Sequence, residues 1–407
     1  MTDPQPFTVR VPLEREPYDV RIGPGLLREL GETARGACPR AARAFLVVDA
    51  GLPDRLVDAA AASLEAAGFE LARATFRPSE ANKVIASAER LLHDLAETRH
   101  ERIDPVVALG GGITTDVAGF VAAAYRRGVP VIQCPTTLLA MVDASTGGKT
   151  GVNLAGPAGL RKNLVGAFHQ PAAVLADVHA LRSLPDRHLR AGLAECLKHS
   201  LIAASAPRTP QLHDASAPPD AFFRTTRDAL VRLRTRADES WAEFPEFIAR
   251  NVAVKAAFVA DDERETAGPG SPGRALLNLG HTFAHAIETI AHLSPDGDPD
   301  HAPLQHGEAV ALGLVAAAHA AHHAGMLTRD HADDVRAAAE RLGLESRVIG
   351  LPADDEIIAR MAHDKKVTAG RLRLVLPDQL PGRATLVESP APETLHAALD
   401  AIRPHPR

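Results

Sequence analysis

The sequence predicts two domains, an α/β domain built on a parallel sheet and then a mostly α-helical domain. Up to about residue 183, short β-branched apolar runs alternate with alanine-rich helical runs, an order typical of a parallel sheet covered by helices. From Leu184 onward strand patterns nearly disappear and helical patterns dominate. Because 407 residues suffice for two hydrophobic cores, we expect the domains at 1–183 and 184–407.

In the first domain, the predicted strands and helices follow one another in a β-α-β-α rhythm. The strands are expected at 45–48, 69–76, 106–109 and 131–134, and the helices at 56–67, 80–98 and 117–125. In the second domain, helices are expected at 189–204, 222–237, 247–260, 276–290 and 308–324. Dense glycine and proline predict loops at 154–161, 266–273 and 294–300.

Composition and charge argue against several classes of protein. A formal net charge of −6 without long basic runs argues against a nucleic-acid partner. The longest apolar stretch, 309–326, is interrupted by three histidines, which predicts a buried helix rather than a membrane span. Cys38, Cys134 and Cys196 are scattered and the N-terminus has no secretory pattern, so we expect a cytoplasmic protein in a reducing compartment.

A glycine turn, Gly110–Gly112, separates the predicted strand 106–109 from the predicted helix 117–125. This arrangement presents backbone N–H groups to an anion, but a tight strand-to-helix connection needs the same glycines. Thr115 stands where the G-x-G-x-x-G motif has its third glycine. Asp116 would accept a ribose hydroxyl or cap the helix. Asp49, at the end of an earlier strand, would bind a ribose or form a turn.

A second glycine turn, Gly147-Gly-Lys-Thr150, resembles the end of a P-loop. A full P-loop would need glycine at position 143, where the chain has Asp143, so a P-loop NTPase is disfavoured. The turn still suits a phosphate group, through exposed N–H groups and one ammonium. Together the two turns predict a nucleotide site beside a site for a phosphorylated substrate.

The predicted helices of the second domain carry acidic and histidine side chains at helical spacing. Glu195 and Lys198 are three residues apart and His281 and His285 are four apart, so each pair shares a helix face. Two histidines and a carboxylate with open positions form the ligand set of a catalytic zinc ion. In a chain with 19 histidines, such a pair also occurs on ordinary surface or core helices.

Taken in order, these segments resemble the 3-dehydroquinate synthases of the sugar-phosphate cyclase family, over nearly the whole chain. The matching segments are 21–25, 78–83, 109–120, 127–128, 135–143, 147–150, 162–168, 192–195, 262–265, 274–285, 306–310 and 364–366. The resemblance implies a Rossmann-like, NAD-binding α/β domain and a mostly α-helical domain that binds a metal. Thr115, where many members have glycine, and the longer loop 154–161 are the departures that bear on substrate choice.

The resemblance implies two cofactors, NAD and a divalent metal, usually zinc and alternatively cobalt. The metal ligands would be Glu195, His281 and His306. The NAD contacts would be Asp49, Glu80, Lys83, Gly111, Gly112, Asp116, Thr136, Thr137 and Lys162. The catalytic side chains would be Lys149, Lys198, Arg274, Asn278 and His285. Lys149 and Arg274 would also bind substrate, together with Arg127, Asp143, Asn163, Lys255 and one of Lys365 and Lys366.

The implied reaction converts 3-deoxy-arabino-heptulosonate 7-phosphate to 3-dehydroquinate and phosphate, a step of the shikimate pathway. It proceeds by transient oxidation with NAD, phosphate elimination, reduction and an intramolecular aldol closure. Such a sequence needs positioning and charge donors more than a strong base. The resemblance also implies a homodimer that acts on a small sugar-acid phosphate and has no membrane partner. Alternatives are a valiolone-type or amino-dehydroquinate cyclase, a polyol dehydrogenase that uses NAD and metal, and a nucleotide-binding scaffold with an inactive site.

Overall fold

The computed structural model describes residues 5–156, 159–207, 220–236, 241–267, 273–362 and 372–404. By their contacts these residues form two compact units. The first comprises 1–188 and 242–260, and the second comprises 189–241 and 261–407. The predicted domains at 1–183 and 184–407 stay a prediction, because compactness does not test whether a segment folds alone. By its contacts, however, the segment 242–260 belongs to the same compact unit as residues 1–188.

The first unit is built on a seven-stranded sheet. Its strands are β1 (Phe7–Val11), β2 (Tyr18–Gly23), β3 (Arg43–Asp49), β4 (Glu70–Phe76), β5 (Val106–Gly110), β6 (Val131–Pro135) and β9 (Ala173–Asp177). Between β6 and β9 in the chain, β7 (Lys149–Gly156) and β8 (Gly159–Phe168) form a separate hairpin. The sheet order is β1-β2-β9-β6-β5-β3-β4, and neighbours are parallel except β1 and β2. β5, β6 and β9 are buried throughout, as expected of parallel strands covered on both faces. The predicted parallel sheet is confirmed.

The helices occupy both units. In the first unit they are α1 (Leu30–Ala37), α2 (Asp54–Ala66), α3 (Ile85–Glu97) and α4 (Gly112–Ala124). They continue with α5 (Asp186–Ile202), α6 (Ala221–Thr235), α7 (Phe244–Asp261), α8 (His281–Glu288), α9 (His306–His323), α10 (Arg329–Arg341), α11 (Asp354–Ala362) and α12 (Pro392–Ala401). Residues 244–260 of α7 lie in the first unit, although the prediction placed 247–260 in the second domain.

Two predicted helices begin elsewhere than expected. The helix predicted at 117–125 already begins at Gly112, because Gly110 ends β5 and Gly111 is the extended N-cap residue. The helix predicted at 80–98 begins only at Ile85, because Val84 is extended and forms a bridge with Asn153. The glycine turn is therefore the start of α4 itself.

The predicted loop at 154–161 is wrong, because these residues extend an antiparallel hairpin. Leu154 pairs with Arg161, and Gly156 pairs with Gly159. Glycines therefore continue the paired strands here and do not mark a long loop. Residues 157 and 158 lie outside the described residues.

The second unit is mostly helical, as predicted, with α9 packed against α8, α10 and α12. Residues 307–318 of α9 are all buried, as an alanine-rich helix that is apolar on every side requires. Two strands of this unit were not predicted. They are β10 (Arg373–Asp378) and β11 (Leu380–Glu388), which form an antiparallel hairpin. Within the described ranges, no helix is long and apolar enough to cross a membrane.

Two glycines bring the backbone of α9 into contact with its neighbours. A Cβ on Gly307 would lie 2.3 Å from the carbonyl oxygen of Ala191, in α5. A Cβ on Gly313 would lie 2.2 Å from the carbonyl oxygen of Gly280, which precedes α8 with a left-handed φ of 76°. No side chain fits at either point, so these contacts fix the separation of the helices.

We predict that Gly313→Ala lowers the free energy of unfolding by about 1–3 kcal/mol, because the new methyl group overlaps a backbone carbonyl that has no rotamer to change. Urea unfolding of the metal-free protein measures the loss. Gly36→Ala is the matched control, since a Cβ on Gly36, in α1, would meet no atom of the described residues within 4 Å, and we expect it to be neutral or slightly stabilising. Equal unfolding midpoints for Gly313→Ala and wild type would contradict the packing argument.

Candidate functional site

The carboxyl ends of three adjacent parallel strands carry the residues predicted to bind the nucleotide. Asp49 ends β3, Gly110 ends β5, and Thr136 follows β6. The chain runs from β3 outward to β4 and then returns to β5 on the other side of β3, and ligands of open α/β sheets bind at such a reversal. The first N–H groups of α4 open onto this edge, where an anion would be stabilised.

Asp49 and Thr115 have their own local contacts at this edge. Asp49 accepts a hydrogen bond from the N–H of Gly51 through Oδ1 (2.8 Å). It therefore forms a turn, which is one of the two roles that the sequence allows for it. Thr115 is buried and its hydroxyl donates to the carbonyl of Gly112 (2.9 Å). The threonine that departs from the family pattern is therefore accommodated inside α4.

Lys83 is the centre of a polar cluster beside this edge. Its Nζ donates to Oδ2 of Asp116 and to Oδ1 of Asn163, each at 2.5 Å. Burial raises the pKa of the Asp116 carboxyl, and the Lys83 ammonium opposes that shift. Asp116 is the fifth residue of α4, so the alternative that it caps the helix is wrong. The ammonium of Lys83 thus joins Asp116, which like Lys83 is a predicted NAD contact, to Asn163, a predicted substrate contact.

Asn153, in β7, holds the same cluster together and was missed by the sequence analysis. It is fully buried. Its Nδ2 donates to the backbone oxygen (3.0 Å) and to Oε2 (2.8 Å) of Glu80, and its Oδ1 accepts from the N–H of Asn163 (2.9 Å). Lys162 pairs with Glu80 at 3.4 Å. One buried amide therefore joins the segment after β4 to the β7–β8 hairpin.

The second glycine turn is anchored by a tyrosine. The N–H of Gly147 donates to the hydroxyl of Tyr18, in β2, at 2.9 Å. Lys149 then begins β7 with an exposed side chain. Arg127 and Asn163 have positive φ values of 65° and 51°, and non-glycine residues held in this way are concentrated at functional sites.

Asp143 lies on an unusual helical turn. Residues Ala140–Ala144 form a π-helix, a rare element that is frequent at functional sites. The Lys255 ammonium, on α7, donates to the Asp143 carboxylate and to its backbone carbonyl. Two predicted substrate contacts that are distant in sequence are therefore direct partners within the first unit.

The second unit brings together the three predicted metal ligands. Glu195 is fully buried on α5, and its Oε2 lies 2.6 Å from Nζ of Lys198. Its Oε1 lies 3.6 Å from Nε2 of His281 and 3.3 Å from Nε2 of His306. The Lys198 ammonium thus occupies one carboxylate oxygen, and the other faces both imidazoles.

The outer nitrogens of the two imidazoles have different partners. Nδ1 of His281 donates to the backbone oxygen of Leu279 at 3.1 Å, whereas Nδ1 of His306 lies 2.9 Å from Oε2 of Glu288. Burial alone would lower the pKa of His306, but the Glu288 and Glu195 carboxylates more than offset this and raise it to about 10. In both histidines, Nε2 is the atom directed toward Glu195.

These donors fit a tetrahedral zinc ion. Two imidazole nitrogens and one carboxylate oxygen form a catalytic ligand set, and bonds of 2.0–2.2 Å place neighbouring ligand atoms about 3.3–3.5 Å apart. The two histidine Nε2 atoms lie 3.3 and 3.6 Å from Glu195 Oε1, close to this spacing. Among the described residues, a second group of possible donors consists of His285, Glu288 and His306.

The remaining predicted residues of the second unit flank these histidines in the chain. The ring of His285 lies 5.5 Å from that of His281 and 6.1 Å from that of His306. Arg274 is buried and donates to the Glu263 carbonyl (2.8 Å). Asn278 donates to the Glu265 carboxylate (3.3 Å). The predicted pair Lys365 and Lys366 lies outside the described residues.

The sequence contains a signal that the motif analysis did not use. It has seven lysines, and every one is among the predicted site residues: Lys83, Lys149, Lys162, Lys198, Lys255, Lys365 and Lys366. Apart from the histidines, all other basic residues are arginines. Either cation can serve on a solvated surface, but arginine does not replace lysine where a compact ammonium is required. A lysine in this arginine-rich sequence therefore itself indicates a position of candidate function. Glu288 could also have been found, since residues 281, 285 and 288 share one helix face.

Two family models match adjoining parts of this chain. The one described as 3-dehydroquinate synthase N-terminal matches residues 73–191, and the one described as 3-dehydroquinate synthase C-terminal matches 192–367. The 3-dehydroquinate synthase of Symbiobacterium thermophilum is 38% identical over 392 residues, which are 96% of this chain and 99% of that protein. That of Nitrobacter hamburgensis is 40% identical over 400 residues, 96% of this chain and 94% of that protein.

Solved structures of sugar-phosphate cyclases are similar in fold. A 2-deoxy-scyllo-inosose synthase, complexed with carbaglucose-6-phosphate, NAD⁺ and Co²⁺, has a TM-score of 0.77 and 24% identity, covering 97% of this chain and 99% of its own. The 2-epi-5-epi-valiolone synthase of Streptomyces hygroscopicus, with NAD⁺ and Zn²⁺ bound, has a TM-score of 0.74 and 26% identity, covering 96% and 98%. The predicted combination of a Rossmann-like sheet domain and a mostly helical domain is confirmed.

We predict that His281→Ala weakens Zn²⁺ binding by roughly 100-fold or more, because it removes one of three donors, a larger loss than that of an outer partner. His285→Ala, one helical turn away, keeps Zn²⁺ and is the matched control. Metal content after dialysis, measured by elemental analysis, gives the result. If His285→Ala lost the metal and His281→Ala kept it, the ion would belong to the second donor group instead.

Proposed function

This chain belongs to the 3-dehydroquinate synthase family, and we propose that it converts 3-deoxy-arabino-heptulosonate 7-phosphate to 3-dehydroquinate and phosphate. It would thereby act as a phosphate-eliminating carbon–oxygen lyase of the shikimate pathway, in aromatic amino-acid biosynthesis. The observation that carries the proposal is the zinc-like trio of Glu195, His281 and His306 with Lys198 on its carboxylate. The family also supports a cytoplasmic homodimer as part of the proposal.

NAD is the cofactor we propose for the first unit, at the carboxyl edge of the sheet. The N–H groups of Gly111 and Gly112, at the start of α4, would bind its pyrophosphate. Asp49, at the end of β3, would bind a ribose hydroxyl. Glu80, Lys83, Asp116, Thr136, Thr137 and Lys162 would supply the other contacts. When bound, NAD supplies reversible hydride acceptance.

A divalent metal is the second cofactor we propose, with Zn²⁺ or Co²⁺ as candidates. When bound, it supplies Lewis-acid polarisation of a substrate hydroxyl. Glu195 would be a monodentate ligand, because the Lys198 ammonium already lies 2.6 Å from its Oε2. Lys198 would also lower the effective negative charge of the carboxylate, which leaves more positive charge on the metal for the substrate oxygen.

Cationic and amide side chains would hold the anionic substrate. The side chains proposed as substrate contacts are Lys149, Arg127, Asn163, Asp143, Lys255, Arg274, Asn278 and Lys198. Charge-assisted hydrogen bonds from these donors position a phosphate and a carboxylate strongly. His285 would move a proton at the substrate, since imidazole is the side chain suited to that role near neutral pH.

The test of the proposed function is a substrate panel. Purified protein with NAD⁺ and Zn²⁺ is incubated separately with 3-deoxy-arabino-heptulosonate 7-phosphate and with sedoheptulose 7-phosphate, and phosphate release is followed. We expect release from the heptulosonate without net NADH accumulation, because the hydride is returned. Turnover of sedoheptulose 7-phosphate alone would instead favour the valiolone-type alternative, which the likeness to the valiolone synthase keeps open. Net NADH formation would favour a polyol dehydrogenase.

We predict that Lys149→Ala raises KM for the sugar phosphate by about 10–100-fold, the equivalent of one lost charge-assisted hydrogen bond. NAD⁺ affinity, measured by fluorescence titration, should change less than about threefold. Arg161→Ala, an exposed cation on the same hairpin, should leave both quantities near wild type. A large loss of NAD⁺ affinity in Lys149→Ala would move this lysine to the nucleotide site.

A further inference from the structure

We propose that Glu288 is a positioning residue, which fixes the ring of His306 so that Nε2 is the nitrogen presented to the metal. The inference rests on the metal centre of the proposed function. It assigns a role to a carboxylate that neither the motif analysis nor the ligand trio includes.

The two nitrogens of His306 face two different carboxylates. Nδ1 lies 2.9 Å from Oε2 of Glu288, and Nε2 lies 3.3 Å from Oε1 of Glu195. A neutral imidazole carries its proton on one nitrogen and a lone pair on the other. A metal ion that binds His306 must replace the proton of Nε2. With Glu288 as acceptor the other proton stays on Nδ1, so the lone pair available to the metal is the one on Nε2, on the side of Glu195 and His281.

His306 needs such a partner more than His281 does. The His281 side chain is 9% exposed, so packing holds its ring, and its Nδ1 donates to a backbone carbonyl. The His306 side chain is 35% exposed and belongs to the first residue of α9. Because packing restrains this ring less, the bond to the Glu288 carboxylate, which is 5% exposed at the end of α8, is what orients it.

Glu288 could alternatively be a ligand itself, in the second group with His285 and His306. That arrangement would take Nδ1 of His306 as the donor atom and leave Glu195 and His281 aside. The trio with Glu195 is favoured because its oxygen already lies at ligand-to-ligand distance from two Nε2 atoms. A carboxylate on the outer nitrogen of a ligating histidine also increases the basicity of that ligand.

The test is Glu288→Gln, measured by Zn²⁺ affinity of the metal-stripped protein in competition with a chromophoric chelator. We expect binding 10–100-fold weaker than wild type, the usual loss for an outer partner of a histidine ligand. Glu308→Gln is the matched control, because Glu288 and Glu308 are each 7% exposed as whole residues and Glu308 lies two residues from His306. Its carboxylate instead accepts from the N–H of Gln305 in a capping box, which glutamine also satisfies, so its affinity should stay within about threefold of wild type.

A second measurement separates positioning from a general structural loss. At saturating Co²⁺, the visible absorption bands report the ligand geometry, and we expect them to shift in Glu288→Gln but not in Glu308→Gln. If Glu288→Gln does not fold, Glu288→Asp serves, because it keeps the charge but withdraws the acceptor by one methylene. We then expect Zn²⁺ binding weaker than wild type by about tenfold.

Three results would overturn the inference. One is wild-type Zn²⁺ affinity and Co²⁺ spectrum in Glu288→Gln. Another is an equal loss in Glu288→Gln and Glu308→Gln. The third is full Zn²⁺ retention in Glu195→Gln with loss in His285→Ala, which would make Glu288 a direct ligand. Failure of the proposed function is distinct, since wild-type protein would then bind Zn²⁺ as expected but release no phosphate from the heptulosonate.

Discussion

The second unit depends on the absence of side chains at two points of α9. At Gly307 and Gly313 the backbone of α9 touches a carbonyl of a neighbouring element. His306 lies next to the first contact, and His281 follows Gly280 at the second. Glu195 is one helical turn beyond Ala191, where α5 meets α9. Each candidate ligand is thus within about one turn of a backbone contact, so the backbone positions of the three ligands are as rigid as the packed helices.

Much of the fold follows from periodicity in the sequence, but connections do not. Alternating β-branched and alanine-rich runs predict the parallel sheet, and the apolar run 309–326 predicts the buried α9. The β7–β8 hairpin was missed because residues 154–161 are rich in glycine and have the composition of a loop, although the register of the two strands is set by their pairing with each other. The start of α3 at Ile85 was missed because Val84 pairs with Asn153, a contact that no local pattern contains.

Motif spacing and family resemblance together predict most members of the candidate site, but not the residues that support them. His281 and His285 were found by helical spacing, yet only the structure tells that Nε2 of His281 is the nitrogen that faces Glu195. Glu288 and Asn153 act through partners that are 18 and 10 residues or more away. Such roles depend on tertiary geometry, and an isolated buried amide or carboxylate has no signature in the sequence.

The β7–β8 hairpin is attached to the first unit in an unusual way. Leu154, Leu160, Leu164 and Phe168 are exposed on it, so burial of apolar surface contributes less to its stability than in a core strand. Val152 and Val165 pack on the core of the first unit, and the hydrogen bonds of Asn153 to Glu80 and Asn163 add a polar attachment. Local opening of the hairpin would therefore also break the hydrogen bonds of the Lys83 cluster, so the strand pair and the cluster open and close in a single equilibrium.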